Sequence, residues 1–353
     1  MPAALVDRQR RPAYPRGMRL RAPAVTCFGA LAASAVVIGA PVAAYADSND
    51  LVLSRLTTRM TDGNGAVTSV VPQNLEFRSL ASQLGVVLAP QLLAPADTLG
   101  FGGFHFALIG TTTTVDANAS YWRALAGSPD PSGAGGMSHG PSRMSTVGFF
   151  ASKGMWFAPL PSLEFGGGAV HLIDSTTWAA QFSAKFAIHE GYHDLPLPSI
   201  AVRGAVSRMM NQRQLDLTVP SADVVLSKHI GVAGTWSIDP FAGWNLLMIV
   251  PRSEVIDATP GIDPLQNPDD SALSFVFKDQ ALILRQRFSA GAKMKVAFVA
   301  LTLEAQYALA GSSVDDRAGT TALCALGSTT TNCDAKDSAA SQLSFAASAA
   351  LDF

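Results

Sequence analysis

Apolar and polar residues alternate with a period of two along most of the chain beyond residue 98. Between Thr177 and His189, Trp178, Ala180, Phe182, Ala184, Phe186 and Ile188 share one parity, while Gln181, Ser183, Lys185 and His189 share the other. Successive β side chains point to opposite faces, so this stretch predicts a strand with one apolar and one wet face. At 99–114, Phe104, Phe106 and Leu108 oppose His105, Ala107 and Ile109; at 160–173, Leu163, Phe165, Gly167 and Ala169 oppose Glu164. The stretch 198–210 sets Ile200, Val202 and Val206 against Arg203 and Ser207, and 341–353 sets Leu343, Phe345, Ala347, Ala349, Leu351 and Phe353 against Gln342, Ser344, Ser348 and Asp352. Further strands are expected at 143–156, 236–250, 271–288 and 293–310, with a short turn at 289–292. The phase of 271–288 is ambiguous, because Lys278 and Asp279 point opposite ways. In 215–228 the apolar parity switches from Leu215, Leu217 and Val219 to Ala222, Val224 and Leu226, with Pro220 at the break. One extra residue in a bulge there would put Asp216 and Asp223 on the same face.

The period changes once. Phe77, Leu80, Leu84, Val87, Leu88 and Gln91 recur at spacings of three and four, predicting an amphipathic helix over 74–93 that Pro90 ends or kinks. Such a helix is a periplasmic cap or a plug in a lumen. Residues 47–71 read as a hairpin around Asp62-Gly63-Asn64-Gly65 or as a loose tail. About ten strands follow, and two more from 50–72 would make about twelve. Numbered back from Phe353, the connections sort by length: 311–340, 251–270, 211–214, 174–176 and 115–142 fall at one end, and the short ones at the other.

The first 46 residues carry Arg8, Arg10, Arg11, Arg16, Arg19 and Arg21 ahead of a small apolar run from Ala22 to Ala40, then Ala44-Tyr45-Ala46. This is the layout of a cleaved export signal, with Met18 as an alternative start. Its removal takes six of the 25 basic and one of the 27 acidic residues, leaving 19 against 26 and a formal charge of −7. That balance argues against a nucleic-acid partner. No later apolar run approaches the ~20 residues of a membrane helix. A membrane location would therefore require a closed barrel, in which every backbone group is paired.

An export signal, amphipathic strands, sorted loops and a final strand ending in Phe353 together resemble the bacterial (Gram-negative) outer-membrane β-barrel proteins. The resemblance implies an all-β fold, an antiparallel transmembrane β-barrel of about ten strands (roughly eight to fourteen) with an N-terminal helical segment. The expected division is a signal peptide at 1–46, cleaved near Ala46, a periplasmic or plug segment at 47–98, and the barrel at 99–353. It also implies contact with outer-membrane lipid and with the barrel-assembly machinery through the last strand.

The inward faces of such a barrel would carry His105, Glu164, Lys185, Arg203, Asp216, Asp223, Glu304 and Asp352. Mixed charges in a narrow lumen either pair with one another or serve a solute, since an unpaired buried charge is costly. About ten strands enclose little free space, which disfavours an open porin. Cys324 and Cys333, in a Gly/Ser/Thr/Asn-rich loop of an exported chain, are expected to form a local disulfide. His189, Glu190 and His193 fit the letters of HExxH, but that zinc motif needs a helix and here a strand ends at a turn, so they stand only as a weak metal alternative. Ser138, His139 and Asp130 share one loop, as such residue types do by chance. No cofactor is indicated. Two functions are expected: a narrow or partly plugged porin-like channel for transport of small solutes, or a structural or surface-recognition barrel acting through its outer loops. A barrel-embedded hydrolase is a distant third, so an enzyme is not the expectation.

Overall fold

A computed structural model describes residues 47–63, 67–128, 140–157, 160–191, 197–232, 236–258, 273–314 and 336–353. The signal segment, Cys324, Cys333, His193, Asp130, Ser138 and His139 lie outside these residues.

The chain begins with a separate hairpin, β1 (Thr57–Thr61) against β2 (Val67–Pro72), and then helix α1 (Asn74–Leu88). The barrel follows: β3 (Phe104–Thr114), β4 (Arg143–Phe157), β5 (Leu160–Leu172), β6 (Trp178–His189), β7 (Ser199–Met210) and β8 (Leu215–Ser227). A short β9 (Ile230–Val232) precedes β10 (Trp236–Ser253), and β11 (Ile256–Asp257) pairs with β12 (Ser274–Phe275) in a loop. β13 (Ile283–Val296), β14 (Val299–Ala308) and β15 (Gln342–Asp352) complete the wall. Each strand is antiparallel to its neighbours, β10 pairs with β13, and β15 pairs with β3, so ten strands close into a barrel with β9 as an extra strip on β10. Closure removes the exposed edges that an open sheet would present.

Alternation sets the two faces. Phe106, Leu108, Phe149, Phe182, Leu303 and Phe345 stand exposed on the outside, while their sequence neighbours, buried or half-buried, face inside. At one rim the connections are short, 158–159, 190–198, 228–235 and 297–298; at the other they are 115–142, 173–177, 211–214, 254–282 and 309–341. Outer-membrane barrels keep their short turns on the periplasmic side. The long-loop rim is hereafter the outer rim.

The expected helix is real but shorter. It stops at Leu88, where Ala89 turns extended (φ −61°, ψ 147°), as a residue ahead of proline must. It is also buried on every side from Phe77 onward, polar residues included, because it lies inside the barrel and meets wall all round. Its apolar side joins Leu215, Leu217, Val219, Leu247, Ile249 and Ile283 in the main core, with Leu53, Leu56, Trp122 and Phe277 over the top.

Three expectations are corrected. β8 has no bulge: its register against β7 runs unbroken from Ser199↔Ser227 to Arg208↔Thr218, through Pro220. Leu215, Leu217 and Val219 point inward onto the helix, so the parity switch marks a change in what the lumen holds rather than a slip of the strand. The turn placed at 289–292 lies inside β13; the chain turns at Ala297-Phe298, with Ala297 in the left-handed region (φ 54°). Residues 57–72 form their own two-stranded sheet at the outer rim and add nothing to the wall.

Candidate functional site

The lumen is divided along its axis. Its outer half is filled by α1 in a mainly apolar core, whereas its inner half holds the irregular segment 89–99 among charged side chains.

Those charges form an oblique row. Glu164 on β5 pairs directly with Lys185 on β6, Lys185 with Arg203 on β7, Arg203 with Asp223 on β8, Asp223 with Asn245 on β10, and Asn245 with Arg287 on β13. Facing residues of paired strands share a face, so all six side chains project into the lumen. Within the row, Lys185 Nζ lies 3.0 Å from Glu164, Arg203 Nε donates to Asp223 Oδ2 at 2.9 Å, and Asn245 Nδ2 donates to Asp223 Oδ1 at 2.6 Å.

The same residues grip the backbone of the plug. Lys185 Nζ donates to the carbonyls of Asp97 (2.9 Å) and Pro95 (3.3 Å), Arg203 Nη1 to that of Gln91 (2.7 Å), and Arg287 Nη2 to that of Pro90 (2.7 Å). Acceptors serve the plug's amides: Glu304 takes the N–H of Leu93 at 2.8 Å, Glu164 that of Leu99 at 3.2 Å, and Glu190 that of Thr98 at 2.9 Å. Higher up, Arg285 donates to Ser82 Oγ at 2.8 Å, and Ser82 donates to Asp337 Oδ2 at 2.6 Å. Leu92 and Ala96 fill the gaps against Ala187, Ala201, Val225 and Phe241. Leu93 adopts φ 43°, a conformation costly for a branched side chain, and its N–H is the one that Glu304 holds.

Below the plug a cavity of about 940 Å³ opens at the inner rim, lined among others by His105, Lys185, Asp239, Lys293 and Lys295. In it Asp352 meets His105 Nδ1 at 2.5 Å and two lysines, Lys293 Nζ at 2.6 Å and Lys295 Nζ at 3.6 Å.

Of the sequence candidates, His105, Glu164, Lys185, Arg203, Asp223, Glu304 and Asp352 all face inward; the structure joins Glu164, Lys185, Arg203 and Asp223 in the row and His105 and Asp352 in the vestibule. Asp216 does not belong to the lumen. It points outward near the outer rim, with its side chain 34% exposed, and pairs with Arg208 at 2.9 Å. His189 ends β6 and Glu190 binds Thr98 and Ser162, an arrangement with no helix beneath it. Among the described residues no cluster of His, Cys, Asp or Glu has the geometry of a metal site. Sequence reading missed Arg285, Arg287 and Lys293. The alternation of Ile283, Arg285, Arg287 and Ser289 with Leu284 and Phe288 was the available signal, hidden by the uncertain phase before it and the misplaced turn after it.

At the outer rim the loops fasten the start of the chain. Asp50 accepts from Thr176 N (2.7 Å), Thr176 Oγ1 (2.9 Å) and Ser175 Oγ (3.0 Å). Burial pushes its carboxyl up, but the bonds from Thr176, Ser175 and Asp47 outweigh it and hold the group below the ordinary carboxylate range. Asp337 is shifted the other way: burial raises it despite Ser82, Ala339 and the nearby Arg285 and Arg78.

A closed antiparallel wall, an exposed apolar outer face and an ionic lumen define a bacterial outer-membrane β-barrel protein. Among the described residues no helix is long and apolar enough to cross a membrane. No family model matches the sequence, and no curated protein matches it. Among solved structures it is similar to the outer-membrane expressed OmpT of Vibrio cholerae (14% identity, 60% of this chain and 56% of that one aligned, TM-score 0.25). It thus spans little more than half the length of that protein. It is also similar to the β domain of the Bordetella autotransporter BrkA (11% identity, 72% of this chain and 100% of that one, TM-score 0.29) and to LpxR from Salmonella typhimurium (10% identity, 69% and 99%, TM-score 0.29).

Proposed function

We propose that the protein is a narrow outer-membrane channel for small solutes, held shut by its own N-terminal segment. One observation carries this reading: the cations of the inner row are spent on carbonyls of residues 90–97, so the wall behind the plug is polar and becomes a hydrated, charge-lined lumen once the segment moves. A permanently filled barrel would more economically carry apolar side chains there, since burying ions costs several kcal/mol apiece unless they are well paired. The wet inner vestibule supports the same reading. Its implied partners are lipid around the wall, the assembly machinery at β15 and a small polar solute.

The test is planar-bilayer conductance of three refolded chains, the mature form, the form lacking residues 47–95, and Arg203→Met. Each is first shown to insert and to shift its gel mobility on heating. The mature form should be silent or open only rarely. The deleted form should give steady current steps, with ion selectivity altered by Lys185→Ala or Glu304→Ala. Arg203→Met, which releases the carbonyl of Gln91 and leaves Asp223 without its cationic partner, should flicker open. Silence from an inserted, plugless barrel would reject a channel. That outcome would favour a surface-recognition barrel, a reading supported by the core that Leu51, Leu53 and Leu56 share with Tyr121 and Trp122 of an outer loop.

A further inference from the structure

The path of the chain gives the plug a direction. Its lower end is fixed at the inner rim, where Phe104 N donates to the carbonyl of Phe353 and Gly102 N to that of Gly154. From there, read backward, Asp97 meets Lys185, Gln91 meets Arg203 and Pro90 meets Arg287 along the oblique row, and Ser82 meets Arg285, nearer the outer rim on β13. Arg78 then reaches Ala281 O at 2.9 Å and Ser313 Oγ at 2.9 Å, both in outer-rim connections. Fifteen helical residues rise ~22 Å. The eleven residues 89–99, irregular and bent, need supply only ~8 Å more to match the ~30 Å hydrocarbon layer.

Beyond the helix the described anchors lie in outer loops. Asn49 N donates to Asp174 O at 2.8 Å, Asn49 Nδ2 to Ile173 O at 2.8 Å, Gly127 N to Ser48 O at 2.9 Å, and Arg55 Nη1 to Leu125 O at 2.7 Å. Arg59 of β1 reaches Ala258 O at 3.3 Å.

We infer that residues 47–72 are displayed on the outer face of the membrane, on a chain that crosses once through the inside of its own barrel. The barrel then has a second task besides passage of solutes, which is to place its N-terminal segment outside, where Arg59 of β1 is held by Ala258 of an outer connection. The inference rests on the outer-membrane orientation, with short turns inside, and not on conduction. A silent plugless barrel would leave it intact.

Single cysteines test it in a Cys324→Ser, Cys333→Ser background, read against that parent in intact cells with a membrane-impermeant maleimide. Met60→Cys on β1 and Val255→Cys in an outer loop replace exposed residues, as does Phe298→Cys at a short turn. Labelling of positions 60 and 255 in intact cells, with 298 labelled only after the outer membrane is permeabilised, is the expected result. Any outcome in which position 60 stays unlabelled in intact cells overturns the inference. If position 255 is labelled in the same preparation, the orientation stands and the internal crossing alone falls. Labelling of 298 but not 255 reverses the barrel and overturns both.

Discussion

Gly85 marks the closest approach of the helix to the wall. A Cβ built there would stand 2.6 Å from Ile249 Cδ1 and 2.8 Å from its Cγ atoms, and Ile249 is fully buried. Gly85→Ala gains about 1 kcal/mol of helix propensity. The overpacking costs about 1–3 kcal/mol and should win. The midpoint of the heat-induced gel shift is therefore expected to fall, and Ile249→Val in the same chain should restore part of the loss. Asp50 offers a second residue-scale test. Because its folded carboxyl lies below its ordinary value, its contribution is present above that value and disappears as pH falls through the depressed one. Asp50→Asn should lower the shift midpoint at about pH 7, by roughly 1 kcal/mol for a partly screened site. As pH falls through that depressed value the two proteins should converge. A constant gap would mean that the bonds to Thr176 and Ser175 do not depend on the charge. Residue faces were legible wherever alternation was clean, as at Lys185 and Arg203. Asp216 was misplaced because an apolar inward residue looks the same in sequence whether it meets lipid outside or a helix inside.

The elements that misled the reading are those the plug touches. In β8 the inward face is apolar beside α1 and ionic beside segment 89–99, so a uniform strand mimics a bulge. In β13, Ser289, Ala290, Gly291 and Ala292 imitate a turn. They are small because the wall is tight there: a Cβ on Gly291 would meet Leu303 O at 2.4 Å and Phe241 Cζ at 2.5 Å. The helix itself was legible from its spacing and its proline, although its location was not. Burial of its polar side, Arg78, Ser79, Ser82 and Gln83, follows from tertiary partners far along the chain, and no local pattern announces them.

For the molecule as a whole, the class was written in two long-range regularities, alternation and sorted loops, that need no knowledge of contacts. The outer wall carries its own prediction. Phe182 is 62% exposed at the middle of β6. Phe182→Arg should cost about 2–4 kcal/mol in a bilayer, by analogy with charges at a barrel's midplane. The readout is the folded fraction after refolding into lipid vesicles compared with detergent micelles. An equal yield in both would mean that this face does not meet acyl chains. The closing seam has a different consequence, for what the wall can release. Segment 89–99 leads through residues 100–103 into β3, and β3 is the strand that pairs with β15 to complete the cylinder. The polypeptide inside is thus leashed to one lip of that seam. A ring that shuts beside its own tether traps whatever the tether is already holding. Once shut, it gives the folded helix no sideways way out.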